Sequence, residues 1–146
     1  MNKRILVVDD SHSIVKMLEV VLKKEGFTVF TAFNGKEGLA LARSEKPDLI
    51  ILDIIMPEMD GYQVCQALQK DRVTASIPVI FLTIKGQMGK LGDQSMGPGF
   101  YAAKISEQEK AFSVGAVDFI TKPVIAKELL RRVKAMLWIG TSDAKE

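Results

Sequence analysis

Short unbroken apolar runs alternate with longer amphipathic stretches along most of the chain. Ile5-Leu-Val-Val8, Leu49-Ile-Ile-Leu52 and Pro78-Val-Ile-Phe-Leu-Thr83 are the clearest runs. Runs of this kind read as strands covered on both faces of a parallel sheet. Phe27-Thr-Val-Phe-Thr31 alternates as a further strand, and Val117-Asp-Phe-Ile120 makes a fifth. Between them the apolar positions recur at helical spacing. Ile14, Leu18, Val21 and Leu22 mark a helix capped by Ser11 or Ser13 and stopped at Gly26. Gly35 to Lys46 predicts a second helix with Leu39, Ala40 and Ala42 inward, closed by Pro47. Val64, Ala67 and Leu68 mark a third, Gln108 to Val114 a short one before Gly115, and Lys127 to Trp138 a last one with Leu129, Leu130, Val133 and Leu137 inward. Strand and helix alternating in this way predict an α/β fold: a parallel sheet, helices on both faces and right-handed crossovers.

If the strands all run one way, their carboxyl ends share one rim. That rim gathers Asp9, Asp10, Asp53, Thr83 and Lys122. In open α/β sheets this is the edge where ligands bind. Taken alone, Asp53 reads equally well as the cap of a turn, because Met56-Pro57 and Asp60-Gly61 break the chain just after it. The cluster is harder to read that way. Two carboxylates about 4 Å apart repel by roughly 4 kcal/mol at an effective dielectric near 20, so three together call for a cation. Oxygen-only ligands favour a hard divalent ion, and Mg²⁺ suits a few carboxylates plus water. Lys122 can pair with a carboxylate or with a phosphoryl oxygen, and Thr83 can donate a hydrogen bond to that same oxygen. The set is suited to holding a phosphoryl group beside a metal, with a carboxylate as nucleophile.

Composition narrows the alternatives. The chain has 146 residues, 47% of them hydrophobic and 26% charged, which fits one domain with a real core. A net charge of +2 is too small to argue for nucleic acid or an anionic membrane surface. One histidine and one cysteine leave little for a zinc site, and a lone cysteine forms no internal disulfide. Cys65 reads as a small buried hydrophobe, and His12 as a solvated loop residue. No stretch approaches the roughly 20 apolar residues of a membrane span.

Asp9-Asp10, Asp53-Ile-Ile-Met-Pro-Glu-Met-Asp-Gly61, Thr83 and Gly115-Ala-Val-Asp-Phe-Ile-Thr-Lys122-Pro123 resemble the receiver domain of two-component response regulators, the CheY-like superfamily. The resemblance covers residue 3 to about residue 138. It implies a flavodoxin-like, doubly wound sheet of order 2-1-3-4-5. It implies that Asp53 accepts a phosphoryl group from a histidine kinase or a histidine phosphotransfer protein. Asp10 and Asp53 would bind Mg²⁺ directly together with the backbone carbonyl of Ile55, and Asp9 would act through water. Lys122 would hold the phosphoryl oxygen, Thr83 would be the switch hydroxyl, and Phe119 the switch aromatic. The Lys122–Pro123 peptide would be cis. The chain would catalyse only its own phosphorylation and dephosphorylation and would otherwise not be an enzyme.

Residues 1–140 are expected to form the receiver domain and 141–146 a polar tail. The sequence departs from the family between Thr83 and Lys122, where residues 84–105 form an insertion-bearing loop with Gly86, Gly89, Gly92, Gly97, Pro98 and Gly99. Residues 86–104 of it read as a mobile flap or a partner-specific contact, or else as a neutral solvated insertion. Ile84 follows Thr83 where the family usually has a small residue, and Ile55 is apolar where many members carry a polar group, so slow self-hydrolysis is expected, unless the insertion reshapes the loop and turns Ile84 elsewhere. The expected setting is cytoplasmic. Expected partners are the kinase or phosphotransfer protein, an output domain or effector, and a second copy in a phosphorylation-dependent homodimer. Neither nucleic acid nor membrane is expected as a direct partner. The main alternative is a phosphorylation-independent protein-binding module that uses the 84–105 insertion. A phosphatase with an aspartyl-phosphate intermediate would need a second Asp where Ile55 stands.

Overall fold

The computed structural model describes residues 2–84 and 116–139. Five strands form one parallel sheet: β1 (Arg4–Val8), β2 (Thr28–Ala32), β3 (Leu49–Asp53), β4 (Val79–Ile84) and β5 (Ala116–Lys122). Their spatial order is β2-β1-β3-β4-β5, the flavodoxin-like arrangement. Four helices accompany them among the described residues: α1 (His12–Lys24), α2 (Gly35–Glu45), α3 (Gly61–Lys70) and α4 (Ala126–Ile139). The 84–105 insertion beyond its first residue, the short helix expected over 108–114 and the 141–146 tail lie outside the described residues.

The period of two along a strand explains why the central runs are apolar without a break. Ile5 and Val7 of β1 face α1 and α4, packing with Leu18, Leu22, Leu129 and Val133. Leu6 and Val8 face the opposite way, into a second core with Ala42, Val64, Cys65 and Leu68 from α2 and α3. β3 repeats this alternation, with Leu49 and Ile51 in one core and Ile50 and Leu52 in the other. Each of these side chains is essentially inaccessible to solvent. Burying one contributes about 1.5–3 kcal/mol.

Local chemistry fixes the element ends. Ser11, not Ser13, caps α1: its hydroxyl accepts from the Ile14 amide at 3.3 Å. Asn34 caps α2 by accepting from the Glu37 amide at 2.8 Å. Asp60 and Gln63 form a reciprocal capping box at the start of α3, each bond 2.9 Å. The inward face of α2 differs from expectation. Ala42 is buried and Leu39 half-buried, but Ala40 is exposed. The buried positions are Gly35, Gly38 and Ala42. α2 lies so close to β1 that a Cβ at Gly38 would stand 3.0 Å from a Val8 methyl, so the face at closest approach is lined by small residues and Ala40 points away. β2 also begins one residue later than its alternation implied.

Candidate functional site

Parallel pairing delivers the site residues to one edge. Val8 pairs with Leu52, Asp53 with Leu82, and Thr83 with Thr121, so the carboxyl ends of β1, β3, β4 and β5 are nearly level. Asp9 follows the last residue of β1, Asp53 ends β3, Thr83 is next to last in β4, and Lys122 ends β5. Asp9 is 0%, Asp53 3% and Thr83 7% exposed, while Asp10 points to solvent. One carboxylate oxygen from each of Asp9, Asp10 and Asp53 lies within 4.8 Å of the other two. No other group of His, Cys, Asp and Glu side chains converges this way among the described residues.

The ammonium of Lys122 completes the cluster. It lies 2.9 Å from Asp9 Oδ2 and donates to Asp53 Oδ1 at 3.2 Å. Burial pushes the Asp53 carboxyl up to about 7, helped by the charge on Asp9 and opposed by Lys122. For Lys122, burial works against the charged form, but the hydrogen bond to Asp9 and the charge on Asp53 outweigh it and raise its pKa. One cation therefore serves two buried carboxylates. The donor set is all oxygen and carries excess negative charge, which fits a hard divalent ion such as Mg²⁺.

The backbone around the cluster is fixed by several bonds. The Asp9 amide donates to Ala32 O at 3.2 Å, and Asp9 Oδ1 accepts from the Ser11 amide at 2.9 Å. Beyond β3, the Ile54 amide donates to Leu82 O at 3.2 Å and the Gly61 amide to Ile54 O at 2.7 Å. The loop turns at Glu58 (φ 70°), and the return at Gly61 passes so close to β3 that a Cβ there would stand 2.5 Å from Asp53 O. Ile55 leaves this loop 45% exposed. The Lys122–Pro123 peptide is cis.

Phe119 is not at the rim. It is half-buried in β5 and packs on Phe81, ring centroids 6.0 Å apart, while Phe81 meets Tyr62 edge to face at 5.4 Å. Phe81 and Tyr62 were not singled out in the sequence, although Tyr62 directly follows the Asp60-Gly61 turn. Asp60 stays with its helix cap. His12 does not sit in a loop: it opens α1, exposed, with its ring stacked on Phe33 at 4.0 Å.

Comparison with known proteins agrees with this geometry. Residues 5–95 match the family model for the response regulator receiver domain. The chain is 40% identical over 136 residues to Protein PilH of Pseudomonas aeruginosa, covering 92% of this chain and 97% of that protein. It is 39% identical over 137 residues to the alkaline phosphatase synthesis transcriptional regulatory protein PhoP of Bacillus subtilis, covering 94% of this chain but only 49% of PhoP. A putative response regulator from Chloroflexus aurantiacus superposes with a TM-score of 0.77 at 31% identity, covering 94% of this chain and 98% of that one. With its rim of carboxylates closed by a lysine and its match to the family model, the chain belongs to the response regulator receiver domains, the signalling modules of two-component systems.

Proposed function

We propose that this chain is switched by transfer of a phosphoryl group to Asp53 from a phosphohistidine on a histidine kinase or phosphotransfer protein. The observation that carries the reading is the Asp53 carboxylate at the sheet edge, with Lys122 3.2 Å away and two further carboxylates converging on it. An Asp53 oxygen attacks phosphorus, the donor's P–N bond breaks, and the imidazole nitrogen keeps the electron pair and takes up a proton. Asp10, Asp53 and the Ile55 carbonyl would hold Mg²⁺ directly, with Asp9 acting through water. The chemistry a Mg²⁺ ion would supply there is neutralisation of charge on the phosphoryl oxygens and on Asp53. Lys122 turns from the carboxylates to a phosphoryl oxygen, and Thr83 donates to another. Phe119 then changes its packing on Phe81 and carries the change to a partner surface.

The chain spans about half the length of PhoP and nearly all of PilH. Its output therefore runs either through a further domain or through a separate effector, with a phosphorylation-dependent homodimer as one form of that output. The 84–105 insertion is assigned to partner contact and the cytoplasm is the proposed setting. Intact mass after incubation with acetyl phosphate and Mg²⁺ tests the central step. A gain of one phosphoryl group, lost in Asp53→Asn and without Mg²⁺, is expected. No gain in a folded, Mg²⁺-binding protein would overturn the reading and favour a phosphorylation-independent binding module.

A further inference from the structure

Asp10 stands apart from the other acids of the cluster. Asp9 is held by Lys122 and the Ser11 amide, and Asp53 by Lys122. Asp10 is exposed, and among the described residues its carboxylate has neither a hydrogen bond nor an ion pair within the protein. Its direction therefore follows from the backbone of the segment between β1 and α1. That segment is anchored on one side by the Asp9 amide bond to Ala32 O and by the Ser11 cap. On the other side the His12 ring lies flat on Phe33, centroids 4.0 Å apart and planes 10° from parallel.

Phe33 is itself a fixed support. Its amide donates to Glu37 Oε1 at 2.8 Å, and the next residue, Asn34, caps α2. The stack thus ties the first residue of α1 to the entry of α2, across the ends of β1 and β2 and two residues from Asp10. The two rings differ in burial: His12 is exposed, whereas Phe33, just before the α2 cap, is half-buried and packs against the core that holds Ile5, Val7 and Leu18. His12→Ala therefore removes the stack alone, whereas Phe33→Ala also removes a core contact.

We propose that the His12–Phe33 stack positions Asp10, so that it sets how tightly the acidic cluster binds its divalent cation. His12 acts through the chain and is not a ligand. This rests on the reading of Asp9, Asp10 and Asp53 as the Mg²⁺ site. A stacked pair of rings is worth a factor of roughly two to ten when its whole energy is felt in one equilibrium. Loss of the stack therefore raises the Mg²⁺ dissociation constant about two- to tenfold, because a freed Asp10 must be ordered again on binding.

The test is calorimetric titration with Mg²⁺ on the full chain, with the thermal midpoint of the metal-free protein measured alongside. His12→Ala and Phe33→Ala are each expected to weaken Mg²⁺ about two- to tenfold, and the double variant no more than the weaker single. His12→Phe keeps the stack without the imidazole and is expected to bind like the wild type. A change in thermal midpoint with an unchanged dissociation constant would overturn the proposal by reducing the stack to a structural contact. Failure of His12→Phe to restore binding would overturn it by assigning the effect to the imidazole. If the wild type binds no Mg²⁺, the failure belongs to the metal site itself and takes the proposal with it.

Discussion

Replacing Asp53 by Asn should make the metal-free protein more stable, and the gain should depend on pH. In the fold the Asp53 carboxyl is shifted from its ordinary 3.8 to about 7, chiefly by burial and then by Asp9. Between those values the folded chain keeps a proton that the unfolded chain releases. Stability therefore falls as pH rises from about 4 to about 7, and the full penalty stands above 7. The shift corresponds to roughly 4 kcal/mol of destabilisation at pH 8 and to about 1–2 kcal/mol at pH 5. Asn keeps the shape and an acceptor for Lys122 but carries no charge. Allowing for a weaker bond to Lys122, Asp53→Asn should gain about 2–4 kcal/mol at pH 8, or roughly 5–15 °C in Tm for a chain of this size. Urea unfolding of both proteins in EDTA from pH 5 to pH 8 measures it. The two curves should separate as pH rises. Mg²⁺ at millimolar concentration should then stabilise the wild type more than the variant, by RT ln(1 + [Mg²⁺]/Kd) for each. A variant no more stable than the wild type at pH 8, or a gain that is flat with pH, would refute the electrostatic reasoning.

Other perturbations probe the same construction. Lys122→Met leaves Asp9 and Asp53 buried without their cation, and should cost about 3–5 kcal/mol near pH 8 in urea unfolding, with the loss shrinking as the carboxylates protonate at low pH. Gly61→Ala drives a Cβ against the Asp53 carbonyl and the Ile54 backbone, neither of which can yield cheaply, and should lower stability by about 1–3 kcal/mol in thermal melts; an unchanged Tm would count against the close approach. Ile55 presents an apolar, 45% exposed surface beside the strand that ends on Asp53, so protein phosphorylated on Asp53 as proposed should lose its label slowly and Ile55→Asn should lose it severalfold faster, as followed by intact mass; equal rates would remove Ile55 as a barrier to water.

The sheet was legible because burial on both faces leaves a plain trace. Leu49 to Leu52 has to be apolar at every position, and a run of that length ending on Asp53 marks both the strand and its functional end. Once all strands run one way, Asp9, Asp53, Thr83 and Lys122 meet at one edge without further information. What escaped was set by distances between elements. Ala40 looked inward because the α2 pattern was read for apolarity, whereas the close approach of α2 to β1 lines the buried face with Gly35, Gly38 and Ala42. The His12–Phe33 stack joins residues far apart in the sequence, in two loop-to-helix junctions where no period applies. Phe81 looked like one more core residue of β4, and its contacts with Phe119 and Tyr62 depend on the orientation of rings across elements.

Charge counting bears on how the proposed phosphorylation of Asp53 would be felt. Three carboxylates and Lys122 leave the cluster with two excess negative charges, which one divalent cation balances. Phosphorylation exchanges the single charge of the Asp53 carboxylate for about −2 on an acyl phosphate, a net change near −1. That change takes the cation-loaded cluster from about neutral to about −1, and the field of one added charge, screened over a Debye length, is a weak candidate for the switch. A redistribution of donors is a stronger one. In the resting state Lys122 serves Asp9 and Asp53 at once, at 2.9 and 3.2 Å. A phosphoryl oxygen competing for that ammonium would weaken its hold on Asp9, and a second oxygen would call on the hydroxyl of Thr83. Thr83 lies two residues beyond Phe81 on β4, and Phe81 carries both Phe119 and Tyr62. On the proposed reading, a shift at the end of β4 would thus pass along a strand whose side chains are packed on both faces and reach the aromatic contact between β5 and α3 without requiring any large motion of the sheet.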